Sequence, residues 1–330
     1  MSNKVGGIGI LGIGANLPDK VITNSDIEKM VDTSNEWIIK RTGISERRIL
    51  DKDKPAYGMG VAAAKEALKD SGIDASEIGL IILTTEAPDY LTPSVACLIQ
   101  KEIGAVNAAA FDMNAACTGF IYGITVASQF IQSGYYKYAL VISCEGLSKI
   151  TDWEDRNTCI LFGDGAGAVV LGKVDEGEGI ISTYLGADGQ MGQNITIPCC
   201  HLEQAEAEKR IHDKKQVIWM DGSEVFKFAV RIMAQATLKV LEQAGMSLDE
   251  IKMIVPHQAN IRIVEGALKR LGVPMESIHS IIQKYGNISS ASIPVTLYEA
   301  IKENKVKKGE YVLLVGFGGG LTWGSAIIRL

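Results

Sequence analysis

The chain has 330 residues, more than the roughly 250–300 that one hydrophobic core normally serves, so two joined cores are expected. Apolar residues make up 47% and charged residues 22% of the chain, a composition that excludes disordered and fibrous proteins. The formal net charge of −6 provides no basic footprint for nucleic acid, and no run of about 18 apolar residues predicts a membrane span.

The first predicted element is an apolar, glycine-rich run at residues 5–15. Its composition resembles a secretion signal, but five glycines in eleven residues make a poor signal helix, so a first buried strand is the better interpretation. The run also contains the spacing GxGxxG at 7–12, which is typical of dinucleotide-binding oxidoreductases. Because the glycines lie inside the strand and a proline, Pro18, follows where a helix should begin, we reject that class.

Farther along the chain, short apolar runs alternate with helical patterns. The predicted buried strands cover residues 79–85, 138–143, 166–171, 252–256 and 311–315. The predicted helices cover residues 58–71, 120–132, 223–244, 261–271 and 291–301. Gly72 and Gly245 each follow a helix at the position of a C-terminal cap. This alternation predicts an α/β protein with mostly buried sheets.

An internal repeat connects the two parts of the chain. The segment that begins at Gly72 matches the one that begins at Gly245, and the strand at Tyr138 matches the strand at Tyr311, both at an offset of 173 residues. At the same offset, Cys117 falls opposite the segment 287–290. We therefore predict two duplicated halves, residues 1–174 and 175–330, divided in a polar, glycine-bearing stretch.

The six cysteines form no CxxC pair, which favours a reducing, cytoplasmic location. Cys117 follows an apolar strand and precedes the helix at 120–132. A helix N-terminus lowers the pKa of a thiol and stabilises the thiolate, so Cys117 is the predicted nucleophile. Cys97, Cys144 and Cys159 lie within apolar runs and are predicted to pack as small core residues.

Two further polar residues follow strands or turns of the second half. His257 comes directly after the strand at 252–256, and Asn287 lies in a turn before the helix at 291–301. The repeat makes their strand ends equivalent to those near Cys117, and ligands bind at such ends of open sheets. The glycine-rich segment 316–324 either forms a tight hairpin or lets backbone N–H groups approach a substrate, as an oxyanion hole requires.

In these motifs the chain resembles the ketoacyl synthase III group of thiolase-like condensing enzymes. The resemblance covers nearly the whole chain, through residues 36–44, 115–119, 162–167, 220–227 and 318–324 together with the histidine and asparagine motifs. It implies a five-layered α-β-α-β-α fold, a homodimer and a catalytic triad of Cys117, His257 and Asn287. The implied reaction is a decarboxylative Claisen condensation of an acyl-coenzyme A with malonyl-acyl carrier protein, which initiates fatty acid synthesis.

The resemblance also implies the chemical steps and the binding residues. The acyl group would pass through a Cys117 thioester in a ping-pong mechanism, with an oxyanion hole at Cys117 and Gly319 and with no metal or cofactor. It assigns Trp37, Arg41 and Arg156 to coenzyme A, and Gly222, Phe226, Asn260 and Phe317 to the substrate channel. It assigns Lys227, Arg262, Lys269 and Arg270 to an acidic acyl carrier protein; an ordinary solvated surface is the alternative for the charged residues.

The sequence departs from the family pattern in two places. Residues 195–217 are longer than the usual connection and contain Cys199, Cys200 and His201, which lack the spaced pairs of a metal site. Thr92 stands where many relatives carry a bulky aromatic residue that reaches across the dimer, so we expect a wider acyl pocket. The starter acyl group itself stays undetermined.

Two alternative functions remain open. One is a condensing or acyl-transfer enzyme of secondary metabolism with the same triad. The other is an acyl-carrier-binding scaffold without turnover, which the nucleophile and the glycine loop disfavour because a binding protein needs neither.

Overall fold

Two mixed β-sheets form the centre of the molecule in the computed structural model, which describes residues 7–198 and 217–330. In spatial order, the first sheet contains β1 (Ile8–Asn16), β7 (Asp164–Lys173), β6 (Ala139–Gly146), β4 (Leu80–Thr84) and β5 (Ala109–Met113). The second contains β11 (Ile251–Pro256), β12 (Tyr311–Gly318), β13 (Thr322–Arg329) and β8 (Gly179–Ala187). Two short pairs flank them: β2 (Val21–Thr23) with β3 (Glu46–Arg48), and β9 (Ile195–Thr196) with β10 (Trp219–Met220).

Each sheet is parallel at one side and antiparallel at the other. β4 pairs in parallel with β5 and β6, and β11 pairs in parallel with β12. β12 and β13 form a hairpin in which Gly318 lies opposite Thr322. The predicted hairpin at 316–324 is therefore present, and parallel pairing brings the carboxyl ends of β4 and β11 to the sheet edges where ligands bind.

The described residues contain both long helices and helices of a single turn. The long ones are α2 (Asn35–Thr42), α3 (Tyr57–Ser71), α4 (Val95–Ile103), α5 (Gly119–Gln132), α7 (Gly222–Ala244), α8 (Ile261–Leu271) and α10 (Ser292–Lys302). The short ones are α1 (Asn24–Ile27), α6 (Arg156–Cys159) and α9 (Ile282–Tyr285). Gly72 and Gly245 take the left-handed backbone conformation at the ends of α3 and α7, so both predicted caps are confirmed.

Three hydrophobic cores show how the layers stack. The central core joins α5 and α10 to the facing sides of both sheets, with Phe120 and Leu297 among its fully buried residues. A second core joins α3 and α4 to the outer side of the first sheet, and a third joins α7 and α8 to the outer side of the second. The predicted five-layered α-β-α-β-α fold is confirmed.

The two halves repeat each other at the predicted offset. The 3-10 turn Ala116–Thr118 leads into α5, and the 3-10 turn Ser289–Ala291, 173 residues later, leads into α10. Ala116 has φ 47° and Ser289 has φ 45°, so the matched residues share a backbone conformation that is uncommon outside glycine. The first sheet ends at Lys173 and the second begins at Gly179. A domain division into 1–174 and 175–330 stays a proposal.

Several smaller predictions have mixed outcomes. Cys144 and Cys159 are buried as expected, but Cys97 is exposed, because α4 turns that side of the helix outward. The glycines at 9 and 12 lie inside β1, in agreement with the rejection of a dinucleotide loop. Cys199, Cys200, His201 and the charged run 203–215 lie outside the described residues. No helix in the described parts of the chain is long and apolar enough to span a membrane.

Candidate active site

Cys117 lies in the turn between β5 and α5, with the β12–β13 hairpin against it. A Cβ atom on Gly318 would lie only 2.7 Å from the Cys117 backbone nitrogen, so only glycine lets the hairpin approach this closely. Gly319 follows in the tip of the hairpin, where an added Cβ would lie 3.5 Å from the side chain of Ala116. The structure therefore brings the nucleophile and the glycine loop together.

The matching turn of the second half reaches Cys117 from the other side. Oγ of Ser289 lies within hydrogen-bond distance of Sγ of Cys117, at 3.3 Å. The backbone nitrogen of Ser289 in turn donates to Oδ1 of Asn287 at 2.9 Å, just as Ala116 donates to Oδ1 of Asn114 at 3.0 Å in the first half. The duplicated turns thus have the same local hydrogen bond, and they meet at the thiol.

Burial raises the pKa of the Cys117 thiol well above its usual value. The nearby carboxyl groups of Glu86 and Glu145 add to the increase, and only the Ser289 hydroxyl and a backbone hydrogen bond oppose it. The direction is opposite to the lowering expected from a helix N-terminus, because burial disfavours the charged thiolate. Cys117 therefore rests as a neutral thiol, which would have to lose its proton to act as the predicted nucleophile.

His257 follows β11 and is fully buried. Its Nδ1 lies 2.7 Å from Oγ of Ser292, and its ring meets that of Phe317 edge-on at 5.4 Å between centroids. Its Nε2 is buried and has no hydrogen-bond partner among the described residues. Burial lowers the pKa of His257 to about 3, so the imidazole is neutral at physiological pH. Donation from Ser292 to Nδ1 would leave the proton on Nε2, which then can donate to a ligand.

Asn287 links this cluster to an open cleft. Its backbone is fixed on both sides, because its N–H donates to the Leu161 carbonyl at 2.8 Å and its carbonyl accepts from Gly163 at 3.0 Å. Since Oδ1 accepts from Ser289, the amide nitrogen is the group left for the cleft, whose lining includes Asn287. Asn287 is thereby connected to Cys117 through Ser289, while His257 contacts Ser292, the first residue of the helix that follows the same turn.

The cleft has a volume of about 820 Å³ and contains most of the predicted binding residues. Its predicted members are Trp37, Arg41, Arg156, Gly222, Phe226, Lys227, Asn260 and Arg262. The half-buried ring of Trp37 has two guanidinium groups beside it, with Arg41 at 5.6 Å and Arg156 at 5.2 Å from its centroid. An aromatic plane beside two cations suits a nucleotide, whose base stacks and whose phosphates are anionic. Leu161, Trp219 and Met220 also line the cleft, and the sequence analysis missed them.

The predicted carrier-protein residues divide into two groups. Lys227 and Arg262 lie at the cleft, where Arg262 covers the Phe226 ring at 5.8 Å and Lys227 pairs with Glu224 at 2.7 Å. Lys269 and Arg270 are exposed at the far end of α8 and do not belong to the lining of the cleft. Only the first pair therefore combines charge with a place at the cleft mouth.

Two predicted pocket residues lie elsewhere. Phe317 is buried against His257 behind the cleft rather than on its wall. Thr92 is exposed, and its hydroxyl donates to the neighbouring Leu91 carbonyl at 2.9 Å. Tyr90 and Leu91 beside it are also exposed, at 50% and 67%. Within one chain Thr92 does not reach the cleft, so its predicted role depends on a second subunit.

The sequence analysis missed a group of polar residues around the thiol. They are Glu86, Glu145, Ser289, Ser290 and Ser292. A signal existed for two of them, because Glu86 directly follows the strand end at Thr84 and Thr85, and Ser290 stands opposite Cys117 in the repeat. The hydrogen bonds that connect them join residues far apart in sequence and could be found only in the fold.

Among the described residues, one cluster has the donor atoms for a metal ion: His279, Glu299 and Glu303. Lysine side chains already engage it, since Lys305 lies 2.9 Å from Nδ1 of His279 and 2.8 Å from Glu303. Lys284 lies 3.9 Å from Glu299. The cluster is explained by these charge pairs and does not touch the thiol site.

A five-layered fold in which the predicted nucleophile Cys117 lies near a neutral histidine and near an asparagine that lines a cleft of about 820 Å³ is typical of an acyltransferase of the condensing class. Family models for 3-oxoacyl-[acyl-carrier-protein] synthase III match residues 111–189, and for its C-terminal part residues 241–330. The chain belongs to the beta-ketoacyl-[acyl-carrier-protein] synthase III family, a group of fatty acid biosynthesis enzymes.

Individual relatives agree with this assignment over the whole length. The chain is 51% identical to the beta-ketoacyl-[acyl-carrier-protein] synthase III of Geobacillus kaustophilus over 98% of this chain and 99% of the relative. The crystal structure of 3-oxoacyl-[acyl-carrier-protein] synthase III from Aquifex aeolicus is 46% identical, with a TM-score of 0.91 and coverage of 98% and 100%. The priming beta-ketosynthase of the R1128 polyketide pathway is 34% identical, with a TM-score of 0.89 and coverage of 98% and 96%.

Proposed function

We propose that the protein condenses an acyl-coenzyme A with malonyl-acyl carrier protein, through an acyl thioester on Cys117. One observation carries the proposal: the cleft that is lined by Trp37 and two neighbouring arginines is also lined by Asn287, and Asn287 connects through Ser289 to the Cys117 sulfur. A nucleotide-bearing thioester bound there would direct its acyl end toward the nucleophile.

Acyl transfer comes first. The Cys117 sulfur attacks the thioester carbonyl, the carbon–sulfur bond to coenzyme A breaks, and the free thiol leaves. The negative oxygen formed on the way needs donors that are already in position, and the family resemblance assigns this role to the backbone N–H groups of Cys117 and Gly319. The close approach of Gly318 to the Cys117 nitrogen supports this arrangement of the hairpin beside the turn.

Condensation follows with malonyl-acyl carrier protein. As carbon dioxide leaves, the thioester becomes an enolate, whose oxygen would accept hydrogen bonds from Nε2–H of His257 and the amide nitrogen of Asn287. A neutral imidazole is suited to this task, because it keeps one N–H group, on Nε2, that can donate to the enolate oxygen. The enolate carbon then attacks the acyl-Cys117 carbonyl, and the thiolate is released. None of these steps calls for a metal or redox cofactor.

The wider setting rests on the family resemblance. We infer a homodimer in which Thr92, beside the exposed Tyr90 and Leu91, contributes to the acyl pocket of the partner subunit. The free cysteines of the described residues are compatible with a reducing cytoplasm.

Mass spectrometry of the intact protein after incubation with a panel of acyl-coenzyme A compounds tests the central proposal. One added acyl group, located on the peptide that contains Cys117, is the expected result. The relative yields across the panel identify the starter group. Absence of an adduct with every compound, or an adduct on another residue, would contradict the proposed function.

Replacing Trp37 with alanine should raise KM for acyl-coenzyme A by about tenfold, because stacking of a base on an aromatic ring is worth about 1–3 kcal/mol. Acylation by an acyl-pantetheine, which has no nucleotide, should not change. Tyr135→Ala, which removes an aromatic ring that is 73% exposed, is the matched control and should leave both reactions unchanged. An equal loss with both donors would place Trp37 outside the nucleotide site.

Charge reversal at the cleft mouth should discriminate between the two substrates. Lys227→Glu and Arg262→Glu should each raise KM for malonyl-acyl carrier protein by about five- to tenfold at low salt, because rim charges steer an acidic partner. The effect should shrink as ionic strength rises. Lys65→Glu, at an exposed position on α3, is the control for net charge. A similar increase in KM for acyl-coenzyme A would assign both residues to the channel itself.

Substitution of Thr92 by phenylalanine should narrow the acyl pocket. Each methylene that no longer fits loses about 0.8 kcal/mol of burial. A ring that excludes two or three methylenes should therefore shift the preference toward acetyl-coenzyme A by more than about tenfold. Competition between acetyl and longer starters in the acylation assay measures this shift. An unchanged chain-length profile would show that other residues close the pocket.

A further inference from the structure

Two carboxyl groups lie beside the nucleophile and have no role in the reaction proposed above. Glu86 follows β4 after Thr85, and Glu145 lies fully buried in β6. Oε2 of Glu145 accepts from the Glu86 backbone nitrogen and from the Thr85 hydroxyl, both at 3.2 Å. Its Oε1 accepts from Oγ of Ser290 at 2.5 Å. Glu145 is therefore fully engaged in holding the loop that carries Glu86.

Ser289 connects Glu86 to the thiol. Its hydroxyl lies 3.3 Å from Sγ of Cys117, and the same hydroxyl is the neighbour that lowers the pKa of the Glu86 carboxyl group against the effect of burial. A hydroxyl group donates and accepts at the same time, so it can pass a proton from one neighbour to the other. Ser289 has φ 45°, and its backbone nitrogen donates to Oδ1 of Asn287. Non-glycine residues are kept in this conformation mostly where function requires it.

The reaction needs a proton acceptor at this place. Acyl transfer begins from a neutral thiol, because burial and the carboxyl groups hold the pKa of Cys117 high. His257 is a weak base here, since burial lowers its pKa to about 3. Burial acts on Glu86 in the opposite direction and raises its pKa, which makes its carboxylate a stronger base than an exposed one. The charged and titratable groups that face Glu86 are Glu145, Cys117 and, across Ser289, His257.

We propose that Glu86 accepts the proton of Cys117 through the hydroxyl of Ser289 during acyl transfer. This inference rests on the proposed function and adds the route of the proton. As the sulfur forms its bond to the acyl carbon, the thiol proton moves to Oγ of Ser289 and the hydroxyl proton moves to the Glu86 carboxylate. When the bond to coenzyme A breaks, the same proton returns through Ser289 to the leaving sulfur. Glu86 ends as it began, a carboxylate, and only the acyl group has moved.

The substitution Glu86→Gln tests the route, because glutamine keeps the shape and cannot take a proton. Acylation of Cys117 by acetyl-coenzyme A should slow by about 100-fold, in the range typical of general base catalysis. The pKa of the thiol, measured from the pH dependence of alkylation by iodoacetamide, should fall because a neighbouring negative charge is gone. A carboxylate with only a structural or electrostatic effect would give the lower thiol pKa with unchanged or faster acylation.

Ser289→Ala supplies the second variant. Alanine is compatible with this backbone, since Ala116 has φ 47° at the matching position of the first half. The acylation rate should fall as far as in Glu86→Gln, and the double variant should be no slower than either single one, because both changes break the same route. Thermal unfolding and alkylation at high pH, where no base is needed, show whether each variant is folded with an accessible thiol.

The outcomes separate this inference from the proposed function. If both variants acylate at the unmodified rate while the thiol pKa falls, Glu86 is not the proton acceptor and the inference is overturned. Independent, multiplying losses in the double variant would overturn it as well. Failure of the unmodified protein to form an acyl adduct on Cys117 would instead contradict the proposed function.

Discussion

The substitution Cys117→Ser should abolish acyl-enzyme formation and lower condensation by at least about 10³-fold, the scale on which enzymes lose activity when their nucleophile is removed. A buried serine hydroxyl has no accessible ionised form, whereas a thiol can lose its proton to a neighbouring base. This difference is important because the environment at position 117 raises the pKa of the thiol, and a serine hydroxyl is a still weaker acid than a thiol. Transfer of a radiolabelled acetyl group from coenzyme A to the protein measures the effect.

The matched control is Cys97→Ser, since Cys97 is an exposed thiol on α4 that could trap label without taking part in catalysis. That variant should label to the same extent as the unmodified protein in a quenched, washed assay. Stable labelling of Cys117→Ser at the unmodified rate would show that another residue is the nucleophile.

Substitution of either enolate donor should separate the two halves of the reaction. His257→Ala and Asn287→Ala should each lower condensation by about 10²–10³-fold, the usual cost of removing one donor from an oxyanion site. Acylation of Cys117 should stay within about tenfold of the unmodified protein, because its proton acceptor and its oxyanion donors are other groups. Release of carbon dioxide from labelled malonyl-acyl carrier protein, followed in parallel with acylation, gives both rates.

Gln258→Ala is not a suitable control, because the Gln258 amide holds the chain at Ile281 and Ile282. Asn304→Ala, at an exposed turn after α10, tests whether loss of an amide far from the site has any effect. If the His257 and Asn287 variants fail to acylate while decarboxylation continues, their assignment to the enolate is wrong.

Much of the fold could be predicted from the sequence because its strands are short apolar runs and its helices end in glycine. The predicted helix at 261–271 agrees with α8 at both ends, and those at 58–71 and 223–244 each begin one residue late. The repeat at an offset of 173 identified the pairing of the turns before α5 and α10. Local patterns were sufficient here, because the secondary structure depends on neighbouring residues and the duplication shows as a constant offset in the sequence.

The environment of the thiol could not be predicted in the same way. A helix N-terminus predicts a lower thiol pKa, but the opposing burial and the two carboxyl groups arise from β4 and β6, far from Cys117 in sequence. Cys97 was assigned to the core because its neighbours in sequence are apolar, but it is exposed. Which side of a helix is buried depends on the spacing of the apolar residues along it, and not on their number. Burial and long-range contact are properties of the assembled layers.

The matched turns also have a consequence for how the chain can evolve. Ser290 occupies in the second half the place of Cys117 in the first, and Glu145 occupies in the first half the place of Gly318 in the second. Gly318 lets the hairpin approach the Cys117 backbone, whereas Glu145 at the equivalent position of the first half accepts a hydrogen bond from the Ser290 hydroxyl. The two equivalent positions thus differ in purpose: Cys117 is the proposed nucleophile, and Ser290 holds a buried carboxyl group in place. A deleterious change in either copy cannot be complemented by the other, so selection acts on the two halves as a single inherited unit.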